Sequence, residues 1–272
     1  MTTLPTFFIP HGGGPCFFMD WPYPSPNPWT GLEAWLRALP EAVGMRPRAI
    51  LVISGHWESH PIALNVQSAP PLYFDYYNFP EHTYRLTYPV PGAPDLARDV
   101  EALLREAGFP VTSEGTRGLD HGVFVPFKVI YPQADIPLLQ MSLHPALDPA
   151  QHLAIGAALA PLRDAGVLIV GSGMSYHNLR RISRDNTPVA GTVAFDNWLN
   201  TVVCASDAKT RNEGLAHWSE APDARQAHPR EEHLLPLMVA AGAAGKDLGR
   251  RTYSGRVLGW DISGFQFGET VQ

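Results

Sequence analysis

The chain carries only two cysteines, Cys16 and Cys204, which excludes a disulfide framework and a cysteine-rich zinc module. No apolar run approaches the roughly 18–20 residues that a transmembrane helix needs, so no membrane association is expected. Positive charge is scarce as well. With 20 basic residues against 26 acidic ones, a nucleic-acid partner is not expected. The opening MTTLPTFFIPHGGG lacks the basic stretch of a secretory signal, and the expected location is the cytoplasm. There is no HExxH pair, no Walker loop and no GxSxG elbow. Internal repeats and long linkers are absent too, so a single domain is expected over residues 1–272.

What is present is an ordinary apolar fraction, 45%, with a net charge of only −6, which suits a packed core and excludes disorder. Proline is abundant at 27 residues, beside 24 glycines, and points to many ordered connections. Strand-like runs alternate with helix-like segments. Strands are expected at Leu4–Ile9, Ala49–Ile53, Ile62–Val66, Ile136–Leu143 and Val167–Val170. Helices are expected from Thr30 to about Leu39, opened by a Thr30/Glu33 capping box, and from Pro94 through DLARDVEALLREAG. Others are expected over Pro149–Ala165, Thr192–Ala205 and about Glu231–Ala244, the last with Pro236 near its start. Residues 68–93 read as a long ordered loop, and Thr252–Val257 with Asp261–Phe267 as closing strands. This alternation predicts a mostly parallel or mixed central sheet with helices on both faces.

Eleven histidines are the main functional signal. Three buried-strand candidates run into polar, glycine-bearing turns: FFIP into His11-Gly12-Gly13-Gly14-Pro15, AILVISG into His56-Trp57-Glu58, and VLIVGSGMSY into His177-Asn178. Ligands of open α/β sheets bind at the carboxyl ends of strands, so these three histidines are expected to converge on one crevice. His121, in GLDHG at 118–122, and His233, in HPREEH at 228–233, are further candidates, the latter at the rim near a helix start. His144 follows a strand without a glycine turn, and His60, His82, His152, His217 and His228 read as structural. Clustered imidazoles hold a divalent metal or move protons near neutral pH. Asp120 reads as an orienting or turn residue, Glu58 and Glu232 as solvated carboxylates, and Cys16 as a small buried apolar group. Trp57, Tyr73, Phe74, Tyr76, Tyr77 and Phe79 either line an aromatic pocket or pack in the core.

In this order, HGGGP at 11–15, SGHWE at 54–58, GLDHG at 118–122, YHNL at 176–179 and EEHLLPL at 231–237 resemble the class III extradiol ring-cleavage dioxygenases. The segment FPEHTYRLTYPVPGAPDLA at 79–97 resembles their 4,5-DOPA extradiol dioxygenase branch, which is LigB-related. The similarity runs over about residues 7–240. It implies a LigB-like α/β domain with one divalent metal at one end of the sheet, a small aromatic diol (a catechol) as substrate, and O2 as co-substrate. His11, His56 and His233 match the metal ligands. His177 matches a residue that is either the acid–base catalyst or a fourth metal contact, and His121 one that binds or orients substrate and oxygen. Fe(II) is expected for catalysis, with Zn(II) as a bound alternative, since a neutral three-histidine site also suits zinc. Two other readings stay open: a zinc hydrolase with Glu58 or Glu232 as base, and a non-enzymatic metal- or ligand-binding relative of the Memo type. A carboxylate on the substrate would be met by Arg85, Arg117, Arg180 or Arg230. No sequence feature fixes an oligomeric state.

Overall fold

A computed structural model describes residues 3–23 and 25–271. Among the described residues eight strands form one sheet: β1 (Thr6–Pro10), β2 (Ala49–Glu58), β3 (Ile62–Asn65), β4 (Val111–Glu114), β5 (Leu138–Leu143), β6 (Val167–Gly173), β7 (Gly249–Val257) and β8 (Trp260–Phe267). Their order is β4-β3-β5-β2-β6-β1-β8-β7. The four central strands β5, β2, β6 and β1 are mutually parallel, and antiparallel pairing enters at β3–β5, β1–β8 and β7–β8. Of the expected mostly parallel or mixed sheet, the mixed form is observed, with a parallel centre. Every residue of β1, β5 and β6 is buried, as continuous apolar runs require when both faces are covered.

The helices are α1 (Thr30–Val43), α2 (Pro94–Glu106), α3 (His121–Ile130), α4 (Pro149–Leu159), α5 (Pro161–Asp164), α6 (Thr192–Val203), α7 (Ala208–Ala216), α8 (Ala224–Ala227) and α9 (Leu235–Ala243). Alternation along β6 shows how they divide. A Cβ on Gly171 or Gly173 would meet the Pro236 or His233 carbonyl oxygen of the α9 segment at 2.1 Å. Ser172, pointing the other way, donates its hydroxyl to the Gly122 carbonyl in α3. So α9 and α3 cover opposite faces, with α4 packed on α9 and α1 on α3. The α4–α9 contact uses the same device: Gly156 meets the Val239 carbonyl and Gly242 the Leu153 carbonyl, each at 2.1 Å from a built Cβ. Among the described residues no helix is long and apolar enough to cross a membrane.

Several local expectations are corrected. The capping box at the start of α1 does not form: Trp29 holds the cap position without a side-chain bond, and Glu33 pairs with Arg37 at 2.6 Å. That helix continues past Leu39 through Pro40 and stops at Gly44, which is left-handed (φ 83°). The single helix expected over Pro149–Ala165 breaks at Ala160, because Pro161 has no N–H to continue the ladder. The apolar run VFVPFKVI is helix α3, buried nearly all round, which leaves no amphipathic period to read. Pro236 lies in the first turn of α9, where proline is tolerated, and does not kink it.

The close approach of α9 to β6 predicts a sharp asymmetry between two glycines. Gly171→Ala places a methyl group against backbone that must shift, and costs about 1–3 kcal/mol or more. Gly31→Ala, on exposed α1 with nothing within 4 Å, is neutral or stabilises by up to about 1 kcal/mol. Urea midpoints of the two variants check this, and a Gly171→Ala protein as stable as the parent contradicts it.

Candidate metal and substrate site

The parallel strands deliver their carboxyl ends to one side. His11 follows β1 directly and is still in register, its N–H donating to the Gly173 carbonyl at 3.0 Å. The chain then turns through Gly12 and Gly14, at φ 91° and 54°, positions that disfavour a side chain. Cys16 tucks under this turn, with its Sγ 3.4 Å from the Gly13 N–H, and burial pushes its thiol up, away from reactivity. His56 belongs to β2, where the pairing with β5 shifts register between Ile53 and Glu58. His233 precedes α9, and its carbonyl accepts the Met174 N–H at 3.0 Å. It is not at the rim but only 4% exposed, because the α9 segment is pressed onto β6.

These three imidazoles meet. His56 Nε2 is 3.3 Å from His11 Nε2 and 3.1 Å from His233 Nε2. His11 donates Nδ1–H to the Gly12 carbonyl at 2.9 Å, and His233 donates Nδ1–H to the Glu232 carboxylate at 3.0 Å. Both Nε2 atoms therefore present lone pairs to His56. Nitrogens bound at about 2.0–2.1 Å around a tetrahedral cation stand roughly 3.3 Å apart, which matches these separations. Burial and the neighbouring imidazoles hold His11, His56 and His233 well below the ordinary imidazole range, so they are neutral, as metal ligands must be.

Two more histidines complete the floor. His121 opens α3, its ring 4.1 Å from that of His56 and 5.3 Å from that of His11. Its orienting partner is Asp75, not Asp120: Asp75 Oδ1 accepts both the ring Nδ1–H at 2.7 Å and the backbone N–H at 3.0 Å. Those bonds to His121 outweigh burial and hold the Asp75 carboxyl below its usual range. Asp120 is instead fully buried beneath, accepting from Ser54 at 2.7 Å, from Arg117 at 3.2 Å and from Gln140. Burial pushes its carboxyl up. Arg117 also donates to the His56 carbonyl at 3.1 Å and lies between the rings of Trp57 and Tyr73. His177 stacks on His233, ring centroids 3.5 Å apart and planes 15° from parallel. Burial, reinforced by His121, lowers it to about 4.

All five histidines line a cavity of about 1100 Å³. The other six stand outside it. His60 pairs with His144, and His82, His152, His217 and His228 each have a backbone carbonyl partner. Tyr76, Tyr77 and Phe79 line the cavity, whereas Trp57, Tyr73 and Phe74 do not. Glu58 and Glu232 also lie outside the lining. Glu58 is held by Arg230 through two contacts of 2.5 and 2.6 Å, and Glu232 by His233. The Arg230–Glu58 pair is partly exposed and worth at most about 1 kcal/mol, so its effect is positional. Of the four arginines expected for an anionic substrate, Arg180 lines the cavity and Arg85, Arg117 and Arg230 do not. Arg184 lines it too and was missed, as was Asp75. Nothing in an aromatic loop sequence signals that a carboxylate there will meet a histidine 46 positions on.

Residues 5–260 match the family model described as the catalytic LigB subunit of aromatic ring-opening dioxygenase. The chain is 40% identical over 244 residues to a 4,5-DOPA dioxygenase extradiol from Beta vulgaris, covering 89% of this chain and 87% of that one. It is 35% identical over 284 residues to the dioxygenase tasH of Hapsidospora irregularis, covering 98% and 86%. The crystal structure of an uncharacterized protein from Escherichia coli K12 superposes with a TM-score of 0.77 at 26% identity, over 97% of this chain and all of that one.

The buried neutral histidines make stability pH-dependent. His152, His177 and His228 are lowered by burial to about 4, 4 and 3, against 6.5 for an unburied imidazole. The unfolded chain takes up protons below about 6.5 that the folded chain refuses, so unfolding free energy falls as pH drops from there towards 4. Burial likewise lowers His11, His56 and His233, so these six histidines outnumber the three groups that oppose them, Asp120, Asp196 and Glu232, which burial shifts upward. Urea unfolding of the metal-free protein at pH 7.5, 6 and 5 measures the slope. A flat profile contradicts the assignment.

Proposed function

Since this chain belongs to the family of catalytic LigB subunits of aromatic ring-opening dioxygenases and is an oxidoreductase of that kind, we propose that it cleaves a catechol extradiol with O2, at one divalent metal held by His11, His56 and His233. The whole chain, residues 1–272, acts as one catalytic domain in this reading. The observation that carries it is the convergence of three neutral Nε2 atoms at 3.1 and 3.3 Å on the floor of an aromatic-walled cavity. Fe(II) bound there supplies redox chemistry with O2 that Zn(II), with no accessible redox change, does not.

His177 is the acid–base residue in this reading, not a fourth ligand. The His177 ring is stacked 3.5 Å from the His233 ring and nearly parallel to it, so the in-plane lone pairs of the two rings do not aim at one point. Unprotonated at neutral pH, it is free to take a proton from a catechol hydroxyl and return it later. His121, with its Nδ1–H fixed on Asp75, keeps Nε2 for the second hydroxyl or for oxygen. The hydrolase alternative loses its base, because Arg230 and His233 hold Glu58 and Glu232 outside the cavity.

Metal-free protein loaded anaerobically with Fe(II) or Zn(II), then given air and a catechol panel including DOPA and protocatechuate, tests the reading. Oxygen uptake with a coloured ring-opened product is expected in the iron sample alone. Folded, iron-loaded protein that consumes no oxygen with any catechol overturns it. His177→Ala is expected to lower kcat by about 100-fold or more with metal content intact. Normal turnover removes its role. Asp75→Ala is expected to lower kcat by about tenfold or more at unchanged metal content. Asp75→Asn, whose carbonyl still accepts both N–H groups, is expected to fall between. Equal loss in the two variants contradicts a hydrogen-bonding role.

A further inference from the structure

The ring-opening chemistry needs only the floor of the cavity, yet the cavity continues outward. At about 1100 Å³ it slightly exceeds the roughly 300–1,000 Å³ that encloses a drug-sized ligand, and a catechol with a short side chain fills a small part of it. Two loops wall the outer part. One carries Met19, Trp21 and Tyr23, and the other, beyond His177, carries Leu179, Arg180, Ile182 and Arg184. The Arg184 guanidinium lies over the Tyr23 ring, 5.6 Å from its centroid, so the loops meet across the mouth.

The chemistry of these walls is specific. Leu179 and Ile182 are 65% and 41% exposed although they line a cavity, an apolar surface that a ligand would cover. Among the described residues neither Arg180 nor Arg184 has a carboxylate partner, whereas Arg225 and Arg230 nearby are ion-paired. The two acids of the lining are engaged. Asp75 accepts from His121, and Asp185 accepts from the Ser183 hydroxyl at 2.5 Å and the Thr187 N–H at 3.1 Å. The outer cavity is thus apolar and aromatic, with two guanidinium groups that have no carboxylate partner among the described residues.

We propose that this vestibule binds the side arm of an extended catechol: an apolar or aromatic substituent, longer than that of an amino acid, ending in a carboxylate. The arm lies against Trp21, Tyr23, Leu179 and Ile182, and the carboxylate is taken by Arg180 and Arg184, whose planar donors match it. This rests on the catechol reading and adds what sets the preferred substrate.

The test is equilibrium binding to iron-loaded protein without oxygen, by calorimetry, with three probes: 4-methylcatechol, 4-(4-phenylbutyl)catechol, and the same molecule with a para-carboxylate on the terminal ring. The arm is expected to tighten binding about tenfold over the methyl group, and the carboxylate about tenfold again. The double variant Arg180→Ala/Arg184→Ala is expected to bring the carboxylate-to-neutral affinity ratio to about one. Leu179→Ser/Ile182→Ser is expected to reduce the gain from the arm in both long probes. Circular dichroism of each variant confirms folding. Three probes of equal affinity, or a carboxylate ratio that survives loss of both arginines, overturn the proposal. Because binding is measured without turnover, a protein that binds the long arm but opens no ring refutes the dioxygenase reading alone. One that opens 4-methylcatechol but gains nothing from the arm refutes the vestibule alone.

Discussion

Two imidazole nitrogens with no proton to give face a third, and the rest of the site is arranged around that constraint. The Nδ1–H groups of His11 and His233 are committed to the Gly12 carbonyl and to Glu232. Their Nε2 lone pairs stand beside His56 Nε2, out of water. His56 Nε2 carries one proton at most, so it cannot serve both buried acceptors, and protonation is no remedy where burial already disfavours the charged imidazole. One divalent cation would satisfy all three lone pairs at once, and this donor geometry is what supports the proposed cation site.

The fold exists to hold that geometry. Adjacent parallel strands bring His11, His56 and the turn to His177 to one end of the sheet. The remaining ligand candidate comes from the opposite end of the sequence, and only the bare backbone of Gly171 and Gly173 lets the His233 turn press onto β6. Beneath, the buried Ser54, Asp120 and Gln140 together with the half-buried Arg117 fix the His56 backbone from the α3 side.

Much of this was legible from sequence. Glycine turns after β-branched runs mark strand ends, and in a parallel sheet strand ends share an edge, so His11, His56 and His177 were expected together. His233 and His121 were legible as motifs, though not the burial of His233, which depends on packing between distant segments. Strand β4 and helix α7 have short or weak patterns, and α3 is apolar on every side, so periodicity does not reveal them. Asp75 is the clearest omission. Its role arises from a long loop folding back over α3, and no local spacing encodes that. The ion pair that takes Glu58 out of the site spans 172 positions and is equally invisible to a local reading.

The donor set is the central claim, and X-ray absorption at the metal edge of protein loaded with one equivalent of Fe(II) or Zn(II) tests it most directly. Three imidazole nitrogens are expected at about 2.0–2.2 Å, with the imidazole signal falling from three to two in His233→Ala and unchanged at three in His177→Ala. A Glu232 or Asp75 carboxylate in the first coordination sphere, or loss of an imidazole on removal of His177, would contradict it.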